Sequence, residues 1–146
     1  MVTIRPIQPY DAQTVWENSA NLHPREPGWH LEHPTLVAIV DGEVVGHTSW
    51  THHKEGEVRY SSWDETWVSE DFRNQGIGRK LMEARALETP GLVYGATQED
   101  NEPMVHLLLS LGFHACQRVP QGYPSGEDAI LYAREHFQEV SNAQEG

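Results

Sequence analysis

The centre of the chain has the pattern of a strand, a glycine-bearing turn, a helix and a second strand. Residues 57–68 alternate their side chains over two faces, as a β-strand does. Ile77 and Leu81 recur at helical spacing within 76–88, and the apolar run 92–97 favours another strand. Such a strand–helix–strand unit joins two parallel strands through a right-handed crossover. It therefore predicts an α/β protein.

Further elements are predicted on both sides of this unit. Pro9 suits the first turn of a helix, Asn101 suits the N-cap of another, and Asp41-Gly42 is a strong hairpin signal. Residues 21–34 contain three Pro and one Gly, which predicts a long connection with a helical turn inside it. We also predict strands at 2–5, 35–40, 43–53, 113–119 and 129–134. This order of elements predicts a mixed α/β sheet.

Length and composition limit the class of protein. With 146 residues, the chain is expected to form one domain over 1–137, followed by a flexible tail at 138–146. Its apolar runs fall far short of the ~18 residues that cross a bilayer, and its first residues lack a signal-peptide pattern. The single Cys116 excludes an internal disulfide and is expected to be a small core residue on a strand. These features predict a cytoplasmic protein.

The charge of the chain is strongly acidic. Ten Lys and Arg stand against 22 Asp and Glu, which gives a formal net charge of −12 at pH 7. Such a field repels nucleic acids and anionic membranes, so neither is expected as a partner. It favours a cationic substrate such as an amine, although acidity can also serve solubility alone.

The turn between the central strand and its helix is the densest cluster of basic residues in the chain. Arg73, Arg79 and Lys80 surround Gly76 and Gly78. Two glycines at a helix start let backbone N–H groups converge on an anion, and the helix N-terminus adds partial positive charge. A pyrophosphate is therefore the expected ligand.

Other interpretations of this turn remain as alternatives. The P-loop is excluded, because no Gly-Lys-Ser/Thr follows at the required spacing. A dinucleotide-binding fingerprint needs a third Gly where Leu81 stands, so a nucleotide-binding α/β protein is a weaker hypothesis. The glycines could also shape a turn without binding anything.

Two segments resemble the GNAT acetyltransferase superfamily. Residues 68–81, with Arg73-x-x-Gly76-x-Gly78 before a helix, are similar to its acetyl-CoA-binding motif. Residues 101–113, which begin with Asn and end in Gly-Phe, resemble a second family segment. The resemblance covers nearly the whole chain. It implies a mixed, mostly antiparallel sheet with a central parallel β-α-β unit and flanking helices.

The resemblance also implies where acetyl-CoA would bind. Backbone amides of the turn would bind the pyrophosphate, Trp67 and Val68 would present backbone groups to the pantetheine arm, and Asn101 would lie near the other side of the cofactor. The implied reaction is direct transfer of an acetyl group to a primary amine in a ternary complex. The implied cofactor-binding residues are Trp67, Val68, Arg73, Asn74, Gln75, Gly76, Ile77, Gly78, Arg79, Lys80 and Asn101.

Two carboxylates near the end of the central strand are candidates for removing a proton from that amine. Asp64 and Glu65 lie beside tryptophans, where burial would raise the pKa of a carboxylate. Adjacent strand positions face opposite ways, so at most one is expected to face the cleft, and Glu65 is preferred. His47 is a less favoured base. Leu108 stands where the family often has a Tyr that protonates the leaving thiolate, which leaves a non-catalytic CoA-binding module as the alternative function.

Aromatic residues and histidines complete the candidates. Trp29, Trp50, Trp63 and Tyr123 are expected to form aromatic walls of the acceptor pocket, suited to a cation or a flat group. No pair among the nine histidines has a recognised metal spacing, so no metal site is predicted. The chain could also form a homodimer.

Overall fold

The computed structural model describes residues 1–20, 25–89 and 91–136. The helices of these ranges are α1 (Ala12–Ser19), α2 (Trp29–Glu32), α3 (Ile77–Glu88) and α4 (Glu102–Ser110). The strands are β1 (Thr3–Pro6), β2 (Thr35–Val40), β3 (Glu43–Glu55), β4 (Val58–Val68), β5 (Gly91–Gln98), β6 (His114–Val119) and β7 (Ala129–His136). The predicted tail 138–146 lies outside the described residues.

The strands of the described residues form one mixed sheet in the order β1-β2-β3-β4-β5-β7-β6. The pairs β1–β2, β2–β3, β5–β7 and β6–β7 are antiparallel. In contrast, β4 and β5 run parallel, with Tyr60–Ser62 beside Leu92–Tyr94, and α3 connects them. The predicted mixed, mostly antiparallel sheet with a central β-α-β unit and flanking helices is confirmed.

The chain divides into two compact units, the first of which comprises residues 1–52 and 63–88. The core of this unit forms where one face of α3 covers β2 and β3. Its buried members are Leu36, Ala38, Val45, Ile77 and Leu81. The buried positions of α3 are one helical turn apart, which confirms the predicted apolar stripe.

The second unit comprises residues 53–62 and the chain from residue 89 onward. Asn101 caps α4 as predicted, because its side-chain oxygen accepts a hydrogen bond from the Met104 N–H at 3.3 Å. Leu108 is buried on this helix, with 1% of its surface exposed. The helix is therefore held by its cap and by an apolar face.

The first unit contains the predicted Asp41-Gly42 hairpin turn and part of the predicted connection 21–34. The turn between β2 and β3 has φ values of +50° at Asp41 and +80° at Gly42, as an Asp-Gly hairpin predicts. The predicted connection 21–34 contains the helical turn α2, while residues 21–24 lie outside the described part of the chain. The hairpin turn is confirmed, and so is a helical turn within the described residues 25–34 of the connection; both depend on local backbone preferences.

The position of β6 corrects one expectation. This strand lies at the edge of the sheet, and all its residues are exposed. Cys116 is exposed with them, so the prediction that it lies in the core is wrong. Strand order, which local patterns do not reveal, places Cys116 on this edge strand.

Among the described residues, no helix is both long and apolar enough to cross a membrane.

Candidate functional site

An exposed turn follows β4 and leads into α3. The Arg73 Nε donates a hydrogen bond to the Val68 carbonyl at 2.9 Å, which ties the turn to the strand end. Gly76 has a φ of +79°, a left-handed conformation that glycine adopts readily. The Lys80 N–H then donates to the Gly76 carbonyl at 3.0 Å and closes the first turn of the helix. The glycine therefore allows the chain to enter α3 sharply.

The start of α3 presents backbone donors to an anion. The N–H groups of Ile77 and Gly78 precede the first intrahelical hydrogen bond and lie at the positive end of the helix macrodipole. Gly78 has space for a side chain, because a Cβ there would make its nearest contact at 3.7 Å. Arg79 forms an ion pair with Glu83 at 2.6 Å, half-exposed on both sides. This arrangement can bind a pyrophosphate.

β3 and β4 approach each other closely at the end of β4. A Cβ at Gly46 would lie only 2.9 Å from the Trp67 carbonyl oxygen, so a larger residue would push the strands apart. The next residue, His47, stacks beside the Trp67 indole with 6.0 Å between ring centres. The Ser69 N–H donates to the Val45 carbonyl at 2.8 Å, where the exposed turn begins. His47 therefore lies close to the strand end that precedes the turn.

Glu65 of β4 is buried in the first unit, with 2% of its surface exposed. Its Oε1 accepts hydrogen bonds from the Ser19 Oγ at 2.9 Å and the Arg25 Nε at 2.8 Å. Its Oε2 is bonded to the Nε2 of His30 at 3.1 Å and to the Nε2 of His47 at 2.5 Å. One carboxylate thus joins α1, α2 and β3 to β4. We call these five residues the Glu65 cluster.

The partners of Glu65 determine its protonation. Burial alone raises the pKa of this carboxyl, but the hydrogen bonds from His30, His47 and Arg25 outweigh burial. They hold the pKa of Glu65 well below its ordinary value of 4.5. An ionised carboxylate only accepts hydrogen bonds, so the Nε2 of each histidine carries a hydrogen and donates it to Glu65.

The two histidines of the Glu65 cluster are buried, and burial affects both their hydrogen bonding and the pKa of His47. Burial lowers the pKa of His47 from its ordinary value of 6.5, although the hydrogen bond to Glu65 opposes this shift. His47 is therefore neutral at neutral pH. The Nδ1 atoms of His30 and His47 are both buried, and neither has a hydrogen-bond partner within the described ranges.

His30, His47 and Glu65 are residue types that bind metals, and one ligand atom from each lies within 4.8 Å of the others. The donor set does not fit a resident cation. The Arg25 guanidinium already balances the carboxylate charge at 2.8 Å. Neither Nδ1 has, in the described part of the chain, the acceptor that usually orients a metal-bound imidazole. The cluster is therefore a charge-balanced hydrogen-bond network.

Sequence reasoning selected Glu65 but missed most of its partners. Asp64 accepts a hydrogen bond from the Thr51 Oγ1 at 2.5 Å and is half-buried, so the two neighbouring carboxylates have different surroundings. His47, which the sequence offered as a less favoured base, does contact Glu65 and joins β3 to β4. The contacts of Ser19 and His30 depend on how α1 and α2 pack, which no local pattern indicates.

The four aromatic residues predicted for the acceptor pocket have different surroundings. Trp29 is half-buried, and the Arg25 guanidinium lies 3.9 Å from its ring centre. Trp63 is also half-buried. Trp50 is completely buried, so in this structure it packs in the core and lines no open surface. Tyr123 lies in the second unit, and burial raises its pKa.

Comparison with known proteins agrees with this fold. A model of the Acetyltransferase (GNAT) family matches residues 5–113. The N-alpha-acetyltransferase of Sulfurisphaera tokodaii is 32% identical over 116 residues, which cover 67% of this chain and 66% of that protein. The L-amino acid N-acyltransferase MnaT of Escherichia coli is 30% identical over 95 residues, which cover 61% of this chain and 55% of that protein. The chain thus spans less than two thirds of the length of these curated relatives.

A solved structure shares the fold over almost the whole chain. Arabidopsis thaliana NAA60 in complex with acetyl-CoA has a TM-score of 0.80 at 17% identity, covering 93% of this chain and 100% of that chain. The family model covers more than half of the chain and includes β4, the exposed turn and α3. This chain therefore belongs to the GNAT acetyltransferase family.

Proposed function

We propose that this protein is an N-acetyltransferase that binds acetyl-CoA at the turn 73–79 and transfers its acetyl group to a primary amine. The observation that carries this proposal is the turn itself, which is exposed, contains Gly76 at positive φ and leads into the N-terminus of a 12-residue helix. Family membership supports acetyl transfer, and the NAA60 structure of similar fold contains acetyl-CoA. Trp67 and Val68 would lie along the pantetheine arm, with Asn101 as a further candidate contact.

The proposed reaction takes place in a ternary complex. The amine nitrogen attacks the thioester carbonyl carbon, a C–N bond forms, and the C–S bond breaks to release CoA as a thiolate. The nitrogen must lose one proton to become a nucleophile and a second one to leave a neutral amide. A general base that accepts one of these two protons typically contributes about 10²–10⁴ in rate.

The acceptor is proposed to be a primary amine of cationic character. The names of two relatives, N-alpha-acetyltransferase and L-amino acid N-acyltransferase, both specify a nitrogen acceptor of an amino acid. The net charge of −12 at pH 7 supports attraction of a protonated amine. Amino acids and peptides with a free α-amine are therefore the first acceptors to test.

A CoA-release assay with acetyl-CoA and a panel of amines tests this function. The panel contains L-amino acids, short peptides with free or blocked N-termini, and polyamines. We expect thiol release that requires a free amine and gives an acetylated product by mass spectrometry. Tight CoA binding without turnover on any amine would favour the non-catalytic module, and tighter binding of NAD or ATP would favour a nucleotide-binding protein.

Proton removal is proposed to depend on the carboxylates of β4. Glu65 is held ionised by four donors, which makes it a weak proton acceptor by itself, so its contribution would pass through its neighbours. Asp64 is the alternative. Turnover of Glu65→Gln and Asp64→Asn across about pH 6 to 9 separates them, since a large loss confined to one variant assigns the role to that residue.

Replacing Leu108 by tyrosine is expected to change turnover by less than about tenfold, or ~1.4 kcal/mol in the barrier. Leu108 is buried on α4, so its side chain packs in the core. This packing role does not depend on whether an acid is needed at this position. We expect amine deprotonation rather than thiolate departure to be the harder step. Steady-state turnover at saturating acetyl-CoA measures the effect. A gain of about a hundredfold would show that the native protein lacks an acid that it needs.

A cytoplasmic location is also proposed, supported by the single cysteine, which suits a reducing compartment. A homodimer is a further proposal. Light scattering on the purified chain measures its mass in solution against 16.6 kDa for the monomer.

A further inference from the structure

Contacts from two sides hold the guanidinium of Arg25 in place. Its Nε donates a hydrogen bond to the Glu65 Oε1 at 2.8 Å, and its carbon lies 3.9 Å from the centre of the Trp29 ring. The same indole stacks on the His33 ring, with 3.9 Å between their centres. The backbone carbonyl of Arg25 also accepts a hydrogen bond from the Trp16 Nε1 at 2.7 Å. The orientation of the guanidinium is therefore fixed by the protein itself.

The two terminal nitrogens of this guanidinium, Nη1 and Nη2, remain available to a ligand. A guanidinium has five N–H donors, of which Glu65 takes only the one on Nε. Within the described ranges, neither Nη has a hydrogen-bond partner, and neither is among the unpaired polar atoms that are buried. The Arg25 side chain is 18% exposed, so water reaches this end of the site. The N–H donors of Nη1 and Nη2 can thus bind an acceptor from solution without breaking the bond to Glu65.

The chemistry of this pair of nitrogens favours a carboxylate. Two parallel N–H donors match the two oxygens of a carboxylate, and such bidentate pairs are among the stronger hydrogen bonds of proteins. Glu65 precedes Trp67 by two positions on β4, about 7 Å along the strand, and His47 contacts both side chains. Trp67 is the residue proposed to lie along the pantetheine arm. A carboxylate at Arg25 would thus lie beside the stretch of β4 that is proposed to meet the acetyl group.

We propose that Arg25 binds the α-carboxylate of a free amino acid and thereby selects amino acids over peptide N-termini as acceptors. The inference rests on the proposed acetyl transfer. An α-amino acid carries its carboxylate on the same carbon as its amine, so an ion pair with Nη1 and Nη2 orients the amine for acetylation. A peptide has a neutral amide at that position, with one oxygen and no charge to pair with the guanidinium. The name of one relative, L-amino acid N-acyltransferase, specifies this class of acceptor.

Turnover on L-amino acids and on their amides tests this role of Arg25. In the wild type, we expect kcat/KM for an L-amino acid to exceed that for its amide at least about tenfold, the effect of a charged hydrogen-bonded pair. Arg25→Gln should abolish this preference, with most of the loss in the KM for the amino acid. Ser19→Ala is the matched control, because Ser19 and Arg25 donate to the same oxygen of Glu65. We expect Ser19→Ala to keep the preference for the amino acid.

Arg25→Lys separates the shape of the guanidinium from its charge. Lysine keeps the positive charge but presents a point charge in place of two parallel donors. We expect this variant to prefer the amino acid over its amide less than the wild type does, and more than Arg25→Gln does. Thermal melts show whether each variant folds, and Arg25→Lys serves as the test if Arg25→Gln is unfolded.

Binding supplies a readout that does not need turnover. Ligand-observed NMR of the CoA-bound protein compares N-acetyl-L-alanine with N-acetyl-L-alaninamide; we expect the wild type to bind the acid more tightly, and Arg25→Gln to lose this difference. Equal turnover of amino acid and amide by the wild type would overturn the inference, as would a preference that survives in Arg25→Gln or disappears equally in Ser19→Ala. A wild type that acetylates neither substrate, yet binds the acid more tightly through Arg25, overturns the proposed function alone; without that binding preference, both fail.

Discussion

Replacing Gly78 by aspartate is expected to raise the dissociation constant for acetyl-CoA at least about 100-fold. Gly78 lies in the first turn of α3, where backbone N–H groups and the helix macrodipole favour an anion. An aspartate side chain there would place a negative charge against the pyrophosphate and occupy its space. Isothermal titration calorimetry with acetyl-CoA measures the change.

The fold should tolerate this substitution. A Cβ at Gly78 would lie 3.7 Å from the Val68 side chain, an ordinary van der Waals contact, and aspartate is favourable in the first turn of a helix. Gly78→Asn is the matched control, because it adds the same volume without the charge. We expect it to weaken binding less than Gly78→Asp. Unchanged affinity in Gly78→Asp, with a native melting temperature, would rule out this turn as the cofactor site.

Truncating Glu65 to alanine is expected to lower the free energy of unfolding by about 3 kcal/mol. Four donors would lose their acceptor, and Ser19, His30 and His47 among them are buried. Arg25 retains some access to water, with 18% of its side chain exposed, which places the loss at the lower end of the range for buried pairs. Urea denaturation followed by tryptophan fluorescence measures the change.

Asp64→Asn provides the control for this experiment. Asp64 is half-buried and accepts from the Thr51 Oγ1, a bond that an amide oxygen can also accept. We expect this variant to lose about 1 kcal/mol or less. Equal losses in Glu65→Ala and Asp64→Asn would contradict the assignment of Glu65 as the residue that joins α1, α2, β3 and β4.

Stability should also fall with decreasing pH in two steps. The pKa of His47 is lowered by folding, so below its ordinary value of 6.5 the unfolded chain binds a proton that the folded chain does not, and stability declines. The pKa of Glu65 is also lowered, so its contribution is present above the ordinary 4.5 and is lost as pH falls towards the folded value. Urea denaturation of wild type and Glu65→Ala at several pH values should show the second decline reduced in the variant.

Much of the fold could be predicted from local patterns. The apolar spacing of Ile77 and Leu81 predicted α3, Asp41-Gly42 predicted the hairpin, and Asn101 predicted the start of α4; the structure confirms each. Each of these features depends only on residues within a few positions of it along the chain. The Cys116 prediction was wrong for the opposite reason, because the exposure of a strand residue depends on which strands lie beside it.

The sequence by itself determined the β-α-β unit, its glycine-bearing turn and a carboxylate near the end of β4, because periodicity, turn chemistry and spacing are local properties. Tertiary structure alone decided what surrounds that carboxylate. Ser19, Arg25, His30 and His47 lie 46, 40, 35 and 18 positions from Glu65 along the chain, yet all four bond its two oxygens. Burial requires each polar group to find a partner. Which partners meet is determined by how α1 and α2 pack on the sheet, and this packing converts an ordinary acidic strand residue into a buried one whose pKa lies well below its ordinary value.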